Sequence, residues 1–171
     1  MKNSLQIQLY GSPLLQKKCK KVEKADSRIN ELLDEMLFLM RMSKGVGLAA
    51  NQAGLDLSLV VIENEDKVYK LINPKITKRK GKIIFTEGCL SFPGLEISVP
   101  RSEQVWVSFL DEQSRPVDIK AGGLLAVILQ HEIDHINGVV FTERIAFWRR
   151  FAIRKKLKRI KQLYRDSQGK K

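Results

Sequence analysis

Histidine is nearly absent from this chain: of 171 residues only His131 and His135 carry an imidazole, and both fall within one short stretch, QHEIDH. Cysteine is equally scarce. Cys19 and Cys89 are the only two, which excludes the dense disulfide framework of a small secreted module and leaves two thiols to be free or to bind metal. No apolar run approaches the roughly 20 residues needed to cross a bilayer. The opening MKNSLQIQLYGSPLL has neither the continuous apolar region of a secretory signal nor the Arg- and Ser-rich pattern of a transit peptide. These absences predict a cytoplasmic protein without membrane contact. The GxxxxGK[ST] and GxGxxG spacings are missing too, which excludes a phosphate-binding loop. No repeat, low-complexity linker or internal boundary is visible, and 171 residues with 43% hydrophobic content suit one globular domain. Acidic residues are missing from one region in particular. Positions 148–171 hold eleven Lys or Arg residues against Asp166 alone, so most of the net charge of +12 sits in the tail.

What is present reads as a mixed fold. Asp26 or Ser27 can cap a helix running to about Met42, with Ile29, Leu32, Leu33, Met36, Leu37 and Met40 at helical spacing. Strands are expected at 58–64, 68–74, 82–88, 95–100 and 104–110, all rich in Val, Ile and aromatics. Gly122 and Gly123 open a second helix that Gly138 ends; its apolar residues occupy nearly every side, which predicts burial in the middle of the domain. Trp148, Phe151, Leu157, Ile160 and Tyr164 form an apolar strip on a basic C-terminal helix. The pattern predicts an α+β fold, with antiparallel or mixed sheets around a central helix carrying HExxH and further helices toward both ends.

In QHEIDH the two imidazoles lie one helical turn apart on one face, with Glu132 beside the first. A catalytic metal site ordinarily takes three protein ligands and keeps one open position. Downstream there is no third ligand. The longer H-E-x-x-H-x-x-G-x-x-H pattern is followed to Gly138 but ends in Phe141, and only Glu143 and Asp166 remain as carboxylates. The third ligand therefore lies upstream, or there is no site. Two histidines and two carboxylates on an apolar helix are costly to desolvate without partners, which favours a bound cation over plain hydrogen bonding in the core. Asp134 points away from the pair and is read as a salt-bridge partner or as a group supporting a ligand from behind. Upstream, Cys89 in TEGCLSFPG sits at a strand end between Gly88 and a turn, where a side chain can be aimed at a neighbouring helix. Cys19 in QKKCKK is read as an exposed or packing thiol. In KGVGLAANQAG, two glycines flank Val46 and permit close backbone approach, while Leu48-Ala49-Ala50 bring Gln52 to the same neighbourhood.

Together GVGLAANQ (45–52), EGCLS (87–91) and QHEIDH (130–135) resemble, in order and separation, the three motifs of the peptide deformylase family. LYGSPLLQKKCKKV resembles that family's opening segment, so the likeness covers about residues 8–145. It implies that residues 1–147 form the catalytic domain, with 148–171 as a basic helical tail. It also implies that Cys89, His131 and His135 bind a divalent metal with water in the fourth position. Glu132 would move that water's proton, while Gln52 and the Leu90 backbone N–H stabilise the oxyanion. Gly45, Val46, Gly47 and Gly88 would bind an extended peptide; Val127 and Ile128 would wall a methionine pocket or are ordinary core. The implied substrate is an N-formylmethionyl nascent peptide, and the products are formate and a peptide with a free N-terminal methionine. The implied ion is Fe(II), although Zn(II), Ni(II) or Co(II) suits the same ligands. There is one departure: some bacterial members carry an arginine that contacts the substrate backbone, where this chain reads Gly94-Leu95-Glu96. By the same resemblance, residues 149–171 are expected to dock on ribosomal RNA; the alternative is a solvated helix packed on the body. A HExxH endopeptidase and a metal-stabilised RNA-binding protein are the competing functions.

Overall fold

The computed structural model describes residues 5–169. The first helix, α1 (Ser27–Met42), begins where Asp26 accepts the Ile29 N–H at 2.9 Å, and it buries Leu32, Leu33, Met36, Leu37 and Met40. Seven strands follow: β1 (Gly47–Ala49), β2 (Leu59–Asn64), β3 (Lys67–Lys80), β4 (Ile83–Glu87), β5 (Ile97–Arg101), β6 (Gln104–Leu110) and β7 (Pro116–Gly122). Two helices complete the order, α2 (Gly123–Ile136) and α3 (Phe147–Gln168). All strand pairing is antiparallel. Five strands form one sheet in the order β1-β2-β3-β6-β7, and β4 pairs with β5 in a second.

The continuous apolar run LVVI of β2 is explained by burial on both faces. Val60 and Ile62 pack with Leu129 and Ile133 of α2, while Leu59 and Val61 join Leu33, Met36 and Met40 of α1. The sheet is therefore held between two helices, and successive β2 side chains point to opposite cores. A third cluster gathers Leu15, Phe92, Leu95, Val99, Phe141 and Ile160 beneath the second sheet. This arrangement agrees with the expected α+β architecture around a central HExxH helix.

Several expectations need adjustment. β3 extends to Lys80 rather than stopping near 74, because ladder bonds to β6 carry the exposed run TKRK, with register shifts between Ile72 and Lys75 and between Ile76 and Lys78. β1 and β7 were not anticipated. The first has only three residues, and the second starts with a proline at the sheet edge and fully buries only Ala121. Cys19 is packed rather than exposed: it lies in the core between sheet and α2, its N–H donates to the Ile136 carbonyl at 2.8 Å, and burial, with Asp56 nearby, pushes its thiol up to about 11. Both cysteines are free.

The apolar strip expected on α3 is split between two faces. Ile160 is buried, with Ile153 and Leu157 beside it, whereas Trp148 is 74% exposed and Phe151 57% exposed. At about 100° per residue, Trp148 and Ile160 fall some 120° apart, so they cannot share one narrow stripe. Among the described residues no helix is long and apolar enough to cross a membrane.

Gly138 fixes where α2 ends. Its φ is +76°, and a Cβ there would stand 2.8 Å from the Gln16 carbonyl oxygen, a backbone atom that cannot swing aside. Gly138→Ala is therefore expected to lower the unfolding free energy by roughly 1–3 kcal/mol in urea denaturation, from left-handed strain and overlap together. An unchanged midpoint would contradict this account of the α2 terminus.

Candidate metal centre and substrate cleft

Two elements bring the three candidate ligands together. α2 contributes His131 and His135, and the turn after β4 contributes Cys89. The Cys89 Sγ lies 3.3 Å from His135 Nε2, which lies 3.2 Å from His131 Nε2, and all three ligand atoms fall within 4.8 Å of one another. A thiol and two imidazole nitrogens converging on one point, mostly buried, suit a tetrahedral divalent cation with one position left over. Behind them, Glu87 accepts from His131 Nδ1 at 2.8 Å, which leaves Nε2 facing the cluster. Burial opposes charge on His131, but the Cys89 sulfur and Glu87 outweigh it and hold the imidazole well above its ordinary range. Burial and the neighbouring His131 push His135 well below that range.

Glu87 and Arg101 are functional candidates that the sequence reading missed. Arg101 grips Glu87 through Nε at 2.6 Å and a second nitrogen at 2.9 Å, and donates to Asp134 Oδ2 at 2.6 Å. Arg144 holds the same Asp134. Burial alone would raise the Glu87 carboxyl, yet the hydrogen bonds from Arg101 and His131 outweigh it and keep it below the usual range. Asp134 thus takes the salt-bridge role read for it, at one end of a chain of contacts that reaches His131.

Glu132 differs from its neighbours. It is buried, and its Oε2 has no hydrogen-bond partner among the described residues. Burial raises its carboxyl to about 7; His131 opposes that rise and Glu87 adds to it. Gly47 explains how β1 comes so near: a Cβ there would sit 2.6 Å from Glu132 Oε1 and 2.9 Å from Ile128 Cγ2. At Gly45 a Cβ would meet Leu90 Cδ1 at 2.8 Å. Gln52 is held by accepting the Ala49 N–H at 2.9 Å, and its Nε2 lies 3.3 Å from Cys89 Sγ and 3.2 Å from Ser91 Oγ. Asn51, also missed, ties the segment to α2 through the His135 carbonyl at 2.5 Å.

A cavity of about 460 Å³ opens onto this cluster. Gly45, Val46, Gly47, Gly88, Cys89 and Leu90 line it, and Gln52, His131 and Glu132 also border it. Val127 and Ile128 contribute apolar wall together with Leu124 and Phe85. His135 is not on the lining; it is buried behind His131. Glu96 is exposed at the rim, its Cγ 3.8 Å from where a Gly88 Cβ would be.

The chain matches known proteins in sequence and in shape. A family model described as polypeptide deformylase matches residues 4–151. The peptide deformylase of Aquifex aeolicus is 41% identical over 150 residues, covering 84% of this chain and 89% of the relative. The crystal structure of peptide deformylase from Thermus thermophilus superposes with a TM-score of 0.87 at 43% identity, covering 92% of this chain and 98% of that one. A peptide deformylase structure from Legionella pneumophila gives 0.86 at 39% identity, covering 93% and 96%. Because these matches run through the body that carries the cysteine and histidine cluster, the chain belongs to the polypeptide deformylase family.

Proposed function

We propose that this protein removes the formyl group from the N-terminal formylmethionine of nascent polypeptides and releases formate. The observation that carries the reading is Glu132. A buried carboxyl poised at about 7, with its Oε2 unpartnered, stands beside a Cys-His-His cluster in the lining of a cleft. A divalent cation held by Cys89, His131 and His135 supplies a Lewis acid that acidifies water and polarises a carbonyl oxygen. Fe(II) is proposed as the native ion from the likeness of the three motifs, with Zn(II), Ni(II) or Co(II) able to fill the same ligands.

The chain's own groups divide the remaining work. Glu132 Oε2 takes the proton from the attacking water and passes it to the departing amine nitrogen, a task suited to a carboxyl poised near neutrality. Gln52 Nε2 and the Leu90 N–H donate to the formyl oxygen as it gains charge. Glu87, backed by Arg101, keeps His131 in one tautomer and orientation. Gly45, Val46 and Gly47 line the cleft with Gly88 and hold the peptide backbone extended, while Val127 and Ile128 wall the methionine side chain. Residues 1–147 carry this chemistry, and the protein is proposed to act in the cytoplasm.

Formate release should be followed with a formyl-Met tripeptide beside its acetylated and unformylated counterparts, using anaerobically prepared Fe(II) protein. Release is expected from the formylated peptide alone, and Glu132→Gln is expected to lower kcat by about 10²–10⁴-fold with metal retained. Equal turnover of the acetylated peptide, or full activity in the variant, would contradict the assignment.

For the tail, 148–171, we propose ribosomal RNA as partner, supported by the exposed Lys155, Lys158 and Arg159 on α3. Deleting the helix would expose the core beneath Ile160, so neutralisation is the cleaner test. Converting those three residues to Gln is expected to weaken co-sedimentation with ribosomes; unchanged binding would remove this partner.

A further inference from the structure

A second cleft, of about 420 Å³, shares no lining residue with the substrate cavity. The wall between them is the buried Arg101–Glu87 ion pair, with Glu87 facing the substrate side and Arg101 facing the second cleft. Four cationic side chains border this cleft: Arg79 near the end of β3, Lys82 just before β4, Arg101 and Arg144. One carboxylate, Asp134, lines it with them.

That carboxylate is already engaged. Asp134 Oδ2 accepts from Arg101 at 2.6 Å and from Arg144 Nε at 2.9 Å, and its Oδ1 accepts from the other end of the Arg144 guanidinium. Arg101 directs its other two nitrogens, Nε and Nη2, at Glu87. Arg79 and Lys82 are exposed and, among the described residues, pair with no carboxylate. The floor beneath them is fixed, because Gln130 accepts the Ser102 N–H at 2.8 Å and donates to the Ser102 carbonyl at 2.9 Å. A concave site with a rigid polar floor and uncompensated positive charge on its walls concentrates anions.

We propose that this cleft binds a phosphate group, with Arg79, Lys82 and Arg144 Nη1, the one guanidinium nitrogen that Asp134 leaves free, as its donors. Three cations approaching from separate segments of chain match an oxyanion that presents several charged oxygens in different directions. A carboxylate, with two oxygens in one plane, would leave at least one of them unmatched. Inorganic phosphate and the backbone of a single-stranded RNA carry the same group. None of its three donors lines the substrate cavity, and Arg79 and Lys82 stand outside the Arg144–Asp134–Arg101–Glu87 chain that reaches His131.

The test is a titration of the Zn(II)-loaded, full-length protein with inorganic phosphate, followed by calorimetry and ³¹P NMR, and a parallel titration with a short oligouridylate. Three proteins are compared: the wild type, an Arg79→Gln/Lys82→Gln variant, and the Lys155→Gln/Lys158→Gln/Arg159→Gln variant as a control for diffuse basic attraction. Formate release by the Arg79→Gln/Lys82→Gln variant should match the wild type and so certify its fold. Loss of two charge-assisted contacts is expected to weaken phosphate binding by about tenfold or more in that variant and to leave the α3 variant near wild type. Oligouridylate that loses affinity in step identifies a nucleic-acid backbone as a source; oligouridylate that does not identifies the free anion. No phosphate binding by the wild type, or equal binding by the wild type and the Arg79→Gln/Lys82→Gln variant, would overturn the proposal, as would an equal loss in both variants.

Discussion

Eleven consecutive residues of α2, Ala126–Ile136, are buried, and among them are two histidines and two carboxylates. An apolar core tolerates such groups only where neighbours replace the water they have lost. The surrounding structure supplies those neighbours one by one: Arg101 and Arg144 for Asp134, Glu87 for His131, and the Cys89 sulfur beside His135. Two atoms are left over, Glu132 Oε2 and His135 Nδ1. A carboxyl desolvated and left with one unpaired oxygen holds its proton to about 7, so the same burial that makes the helix expensive gives Glu132 the acidity that its proposed role as acid and base needs.

Close approach is the second condition. β1 can lie against α2 only because position 47 has no Cβ to strike Glu132 and Ile128, and the turn carrying Leu90 can close only because position 45 lacks one as well. The residues that permit this packing also border the cleft, so the glycines bring β1 against the Glu132 carboxyl as well as leaving the cleft wall free of side chains at positions 45 and 47. Gln52 reaches the same point by another route, fixed by the Ala49 N–H and Ser91.

The histidine pair, Glu132 and the central helix were legible because they lie within a few residues of one another and follow helical spacing. Cys89 was legible as the available upstream thiol at a strand end, and Gln52 through its place in a motif. Glu87 and Arg101 were not, and their geometry explains why. In the β4–β5 ladder Arg101 stands opposite Ile83 and Glu87 opposite Ile97, so even a correct register would not have paired them. Their ion pair depends on side-chain reach and sheet curvature, which leave no periodic trace in the sequence. β7 escaped notice for a related reason: as an edge strand it fully buries only Ala121, and what holds it is its ladder to β6, which its own composition does not announce. The basic cleft was hidden as well, since its members come from four separate stretches between positions 79 and 144.

The proposed chemistry requires Cys89, His131 and His135 to hold one metal ion together, with Cys19 a packing residue. The most direct measurement is the near-ultraviolet absorption of the Co(II)-substituted protein, where a thiolate ligand gives an intense charge-transfer band. One Co(II) per chain is expected, with the band present in the wild type and in Cys19→Ser and absent from Cys89→Ser. A band that survives Cys89→Ser, or one that disappears in Cys19→Ser, would contradict the centre described.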